Sequence, residues 1–184
     1  MNSKIVLSTL AMASIALAPG MAAPALAQAP TYLGQWGTRG DGPGQFFNSK
    51  AVTTDAAGHV YVTDLNNHRI QKFDEFGNFI LQWGAFGTTP GYFDGPWGIA
   101  LDGAENVLVL DVLDSRVQKF TPSGAFLGQW MVPAPFGYLT GLAMDGADNV
   151  YVVDGSNNRV MKFTSSGTLL TQWGSEGQGN GRFR

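Results

Sequence analysis

The stretch DLNNHRIQKF, residues 64–73, sets an acid, two amides, a histidine and two cations beside apolar residues. Those types could ligate a metal, cradle a phosphate or contact nucleic acid. The same pattern returns as DVLDSRVQKF from Asp111 and as DGSNNRVMKF from Asp154, with offsets of 47 and 43 residues. Recurrence decides between chemistry and architecture, because a reacting group is needed once and a staple is needed in every repeat. Asp64 with Arg69, Asp111 with Arg116 and Asp154 with Arg159 are therefore expected to be structural turn pairs. In each, the acid accepts backbone N–H groups of a four-residue turn and the arginine folds across to it. Asp114 stands where the other copies have a second Asn, and the hairpin is expected to survive that change.

The remaining chemistry-bearing residues meet the same test. His59 aligns with Asn106 and Asn149, and His68 with Ser115 and Asn158. Both frames hold turn residues. A zinc site needs about three or four ligands on one face, and these two histidines lie at opposite ends of one strand. No catalytic residue, metal ligand or cofactor site is expected. The absence of cysteine excludes disulfides, thiolate catalysis and Cys-ligated zinc. A net charge of −3 and a pI near 5.2 argue against a nucleic-acid partner, whose phosphates demand many Lys and Arg contacts. The connections GTRGDGPGQFF, GAFGTTPGYFD and GSEGQGNGRF resemble phosphate loops only superficially. No helix follows them and no Lys-Ser/Thr pair closes them. A further connection, MVPAPFGYLT, is shorter and apolar, with prolines in place of glycines.

The elements that must position these residues are strands. AVTTD, GIALD and GLAMD precede HVYVTD, NVLVLD and NVYVVD. The Arg-containing segment follows, and a strand ending at Trp83, Trp130 or Trp173 closes each unit. Gly77, Gly124 and Gly167 share a frame that suits a turn with a left-handed residue. Four strands per repeat of about 45 residues indicate a β-propeller blade. The GIALD strand, the NVYVVD strand, the D-x-x-N-x-R-[IV]-x-K-F hairpin and the closing QWG resemble the NHL-repeat propellers, a family that commonly has six blades. The resemblance covers nearly all of residues 32–184. It implies an all-β fold of three four-stranded blades, about 49–84, 96–131 and 139–174, forming an arc of a six-bladed ring. An orphan strand is expected over 31–37. The family's functions implied by the resemblance include binding scaffolds, sensors and a few metal-dependent lyases.

Residues 1–27 read as a signal peptide: Lys4, an uncharged apolar run, Pro19-Gly20, then ALA before a cut at Gln28. That implies a secreted or periplasmic protein with no membrane span after cleavage. Arg39, Lys50, His68, Tyr92, Trp97, Leu113 and Thr140 vary between units and are expected near one face, as candidates for contact with a protein, peptide or glycan. Trp97 stands out, because its frame holds Lys50 and Thr140 elsewhere. The chain is expected to be a piece of a longer propeller acting as a non-catalytic scaffold, with self-association through open blade faces as another outcome. The alternative function is part of a metal-dependent propeller lyase or lactonase.

Overall fold

Three kinds of turn cut the chain into short strands, and each has a local cause. The computed structural model describes residues 34–134 and 138–183. The expected signal peptide lies outside them. Asp55, Asp102 and Asp145 each end a strand and turn their carboxylates back on the chain. Asp102 Oδ1 accepts the N–H groups of Ala104 at 3.0 Å and Asn106 at 2.8 Å, and Asp55 and Asp145 do the same. Asp74 and the hydroxyls of Thr121 and Thr164 play this part in the later turns. An acceptor at the first turn position fixes the backbone locally, so these residue types start turns.

The strands so delimited pair antiparallel in chain order. β1 (Thr38–Arg39) and β2 (Gln45–Phe46) make a two-residue parallel contact that closes the first glycine-rich connection. β3 (Ser49–Thr54), β4 (Val60–Asp64), β5 (Arg69–Phe73) and β6 (Phe79–Trp83) form the first sheet. β7 (Pro96–Leu101), β8 (Val107–Asp111), β9 (Arg116–Phe120) and β10 (Phe126–Met131) form the second. β11 (Leu139–Met144), β12 (Val150–Asp154), β13 (Arg159–Phe163) and β14 (Leu169–Trp173) form the third. The only helical element among the described residues is a 3-10 turn, Leu65–Asn67. No described helix is long and apolar enough to cross a membrane. The expected strand over 31–37 is not there in its described part: residues 34–37 belong to no strand.

The core lies between sheets. Side chains alternate along a strand, so Val107 and Val109 of β8 face the first sheet, with Tyr61, Ile70 and Phe93. Leu108 and Leu110 face the third, with Val150, Val152, Met161 and Phe163. Each such side chain contributes about 1.5–3 kcal/mol by leaving water. The sheets approach at their first strands, β3 against β7 and β7 against β11, so they fan outward as an arc. At the outer ends, Trp36, Trp83 and Trp130 each lie over a glycine of the next sheet. A Cβ at Gly77, Gly124 or Gly167 would stand 2.5, 2.9 or 2.3 Å from the indole. Those glycines also hold φ of +85°, +84° and +89°, where other residues are strained. Trp36 thus takes the place of a preceding sheet's last residue without belonging to a strand.

Candidate functional site

The hairpin motif binds the glycine-rich connections, here termed straps, to the sheets. Asp64 is fully buried. It accepts the Phe47 N–H at 2.7 Å, Asn67 Nδ2 at 2.8 Å and Arg69 Nε at 2.9 Å. Arg69 then donates to the carbonyls of Asp41, Gly42 and Gln45. Gln71 donates to the Gln45 carbonyl at 2.7 Å and accepts the Gly44 N–H at 2.9 Å. Arg116 and Gln118 clasp the second strap through Thr88, Gly91 and Tyr92 in the same way.

The third sheet differs. Its frame carries Met161 in place of glutamine, buried against Val132 and Ala134 of the apolar connection. Arg159 reaches the Pro133 carbonyl at 2.6 Å. Prolines and methionine therefore change together: an apolar connection meets an apolar clasp.

Asp114 does alter its hairpin. Asn67 and Asn157 donate amide hydrogens to Asp64 and Asp154. Asp114 cannot donate when ionised, and pairs with Arg116 at 2.8 Å instead. Burial pushes the Asp111 carboxyl up to about 6 against the pull of Arg116, and the Asp114 charge adds to the rise. At the opposite ends of the sheets, His59 stands where Asn106 and Asn149 bind their turn acids. His59 Nδ1 lies 2.8 Å from Asp55, and the Tyr61 hydroxyl donates to the same carboxylate at 3.0 Å. Burial pulls the Asp55 carboxyl up, but the His59 and Tyr61 hydrogen bonds outweigh it and hold it below the usual range. Among the described residues no three His, Asp or Glu side chains converge as metal ligands do.

The residues that vary between units divide into two groups. Lys50, Trp97 and Leu113 come together. Trp97 is the extra residue of a β-bulge, since Pro96 pairs with Asp111 and Gly98 already with Leu110. Bulges re-aim a side chain, and Lys50 and Thr140 sit at the matching irregularities of β3 and β11. The Thr63 hydroxyl donates to the Trp97 carbonyl at 3.0 Å and fixes the bulge to the first sheet. Lys50 Nζ lies 4.5 Å from the Trp97 ring centre, within cation–π range. Tyr138 meets the indole edge-on at 5.8 Å. A pocket of about 150 Å³ opens between Leu65, Trp97, Val112, Leu113, Tyr138 and Leu139. Leu113 is 71% and Tyr138 57% exposed, so apolar surface here faces solvent.

The other candidates lie elsewhere. Arg39 covers Phe47 on the first strap. His68, at φ +53°, meets Phe86 of the second strap at 4.9 Å. Tyr92 lies beside Gly87 on that strap. Thr140 borders a groove on the outer face of the third sheet.

Fanned four-stranded antiparallel sheets with inner first strands define an arc of a β-propeller. The NHL-repeat family profile matches residues 51–73, most of the first sheet's first three strands. No curated protein matches the chain in sequence. Among solved structures it is similar to a streptogramin B lyase, at 18% identity and a TM-score of 0.56, over 66% of this chain and 39% of that one. It is also similar to a catalytically inactive virginiamycin B lyase from Staphylococcus aureus with quinupristin, at 17% identity and 0.57, over 68% and 40%. A nidogen/laminin complex matches at 18% and 0.55, over 69% and 47%. The chain spans about two-fifths of the length of the lyases it matches. At these identities the likeness concerns the fold.

Proposed function

We propose that the chain is the ligand-presenting arc of a secreted or periplasmic, non-catalytic NHL-repeat scaffold that binds a protein or peptide. The observation that carries this reading is the pocket at Trp97. An aromatic ring held on a bulge between Lys50 and Tyr138, with exposed Leu113 beside it, offers apolar contact and a cation at its rim. Small pockets of this kind take an aromatic or aliphatic anchor, and such anchors are worth about 2 kcal/mol or more. The likeness to a structure from a nidogen/laminin complex is in keeping with a protein partner.

Displayed-peptide selection on the purified chain tests it. Selected binders are expected to lose about 30-fold in affinity on Trp97→Ala, with the melting temperature within about 2–4 °C of the parent. Binders indifferent to Trp97→Ala and Lys50→Ala would place the site elsewhere. A second reading, a part of a metal-dependent propeller lyase or lactonase, draws on the likeness to the streptogramin B lyase. Stoichiometric, tightly bound metal in the purified chain would favour it.

A further inference from the structure

The cations of the three sheets separate by partner. Lys72, Lys119 and Lys162 share a frame in β5, β9 and β13. Each lies against the turn acid of its own sheet: Asp55 at 3.7 Å, Asp102 at 2.7 Å and Asp145 at 3.1 Å. The hairpin arginines are held as well, Arg69 by Asp64, Arg116 by Asp111 and Asp114, and Arg159 by Asp154. Lys50 is different. It is exposed, and among the described residues no carboxylate pairs with it. Its contact is the face of Trp97. Arg39 repeats the arrangement over the exposed ring of Phe47, again with no carboxylate partner among the described residues. The hollow beside Arg39 is lined in part by Phe47, Asn48 and Ser49, and the one beside Lys50 begins at Ser49. The two cations therefore border one run of surface.

The pocket beside Lys50 has walls fixed from two sides. Thr63 ties the Trp97 carbonyl to the first sheet. Tyr138 is tied to the hairpin of the third: its N–H donates to Ser156 Oγ at 2.7 Å, and its carbonyl accepts the Gly155 N–H at 2.9 Å. Walls already in place spare a ligand the cost of ordering them. At about 30 Å³ per water, the 150 Å³ of the pocket is room for about five, which suits one large side chain. Leucines, a valine and two rings line it, so the side chain that enters is apolar. The charge at its edge is the Lys50 ammonium.

We propose that the Trp97 pocket takes an extended acidic peptide: an aromatic or aliphatic side chain enters the pocket, and an Asp or Glu two residues away pairs with Lys50. The inference rests on the proposed function and adds the chemical class of the partner. In an extended chain, residues i and i+2 lie on one face, about 6.6–6.8 Å apart, and an acid at i+1 points away. Lys50 Nζ stands 4.5 Å from the centre of the ring that walls the pocket, within reach of a carboxylate at the i+2 spacing. A longer peptide then meets Arg39 further along the same surface. A chain ending at the anchor would leave that second cation unused, which favours acidic side chains over a terminal carboxylate. The chain itself has a net charge of −3, so the attraction is a local contact rather than long-range steering.

Displayed peptides selected on the purified chain, and lost on Trp97→Ala, supply the probes, synthesised with amidated C-termini. They are expected to carry Asp or Glu two residues from the anchor. Changing that acid to its amide should weaken binding about fivefold. Lys50→Gln should weaken the acidic peptide by about the same factor and leave the amide peptide unchanged. Lys50→Arg should keep the preference for the acid, and Lys50→Glu should reverse it toward lysine. Lys50 is exposed, so these variants are expected to melt with the parent. Binders that need Trp97 but are indifferent to the acid and to Lys50→Gln would overturn the acidic class while leaving the pocket as the site. Peptides cut at the anchor, with a free terminal carboxylate, should bind no better than the amidated acidic ones; tighter binding would make the terminus the ligand and overturn the proposal. A selection without any binder that needs Trp97 would remove the reading on which it rests.

Discussion

Replacing Gln118 with methionine converts the clasp of the second sheet into that of the third while leaving the glycine strap in place. Two hydrogen bonds disappear, one from Gln118 Nε2 to the Tyr92 carbonyl at 2.7 Å and one from the Gly91 N–H to Gln118 Oε1 at 2.9 Å. The Tyr92 carbonyl keeps Arg116 at 2.9 Å, so it is not orphaned. The cost falls on the Gly91 N–H, which is half-buried. A buried donor without a partner costs about 1–3 kcal/mol, and partial access to water sets the value near the lower end. Methionine has nearly the same volume, so packing strain adds little. The net expectation is a loss of about 1–2 kcal/mol, or about 3–8 °C in melting temperature. Urea unfolding followed by tryptophan fluorescence measures it. The reverse change, Met161→Gln, buries an amide beside Val132 and Ala134 and should cost about 1–3 kcal/mol. An unchanged midpoint for Gln118→Met, or a stabilised Met161→Gln, would refute the coupling of clasp and strap.

Three further substitutions probe the hairpin acids. Arg116→Ala leaves Asp111 buried beside Asp114 and is expected to cost about 3–5 kcal/mol. Arg159→Ala should cost about 1–2 kcal/mol, because its side chain is 20% exposed and Asp154 keeps the Asn157 amide; equal losses in urea titrations would contradict this ordering. Asp114→Asn removes a like charge and restores an amide donor to Asp111, at the loss of the 2.8 Å pair with Arg116. The folded-state pKa of Asp111 is raised from 3.8 to about 6. Its contribution to stability is therefore full below about pH 4 and lost as pH rises through about 6. The variant should melt about 2–4 °C higher at pH 7 and progressively closer to the parent toward pH 4; a gain independent of pH would count against the electrostatic cause.

The propeller sheets were legible because their determinants are local and repeated. Alternating valines, turn acids and the glycines at 77, 124 and 167 act within a few residues of chain, and three aligned copies cancel the noise of any one. Trp36 shows the limit. Its sequence frame marks the end of a strand, but a strand needs a hydrogen-bonded neighbour, and Trp36 keeps only the packing on Phe73 and Gly77. The pocket was half legible. Lys50, Trp97 and Leu113 stand out as unequal members of their frames, whereas Leu65, Val112 and Tyr138 enter through distances between sheets, which no single repeat contains. The bulge that turns Trp97 outward depends on register with β8. The clasp did leave a signal: glutamine at 71 and 118 accompanies glycine connections, and methionine at 161 accompanies prolines.

The spacing of strap and clasp has a consequence for how the chain comes together in time. Gly44 and Gly91 each lie 27 residues before the glutamine that holds them. At about 5–20 residues per second, a strap leaving the ribosome would wait about 1–5 s for its clasp, while a hairpin closes within about 10 µs. Each sheet can therefore complete its turns long before the strap ahead of it is latched. The apolar connection before the third sheet also awaits the sheet that follows, but most of its latch is hydrophobic contact rather than directed hydrogen bonds. Assembly in this order resembles a row of latches, each shut by the next repeat to arrive.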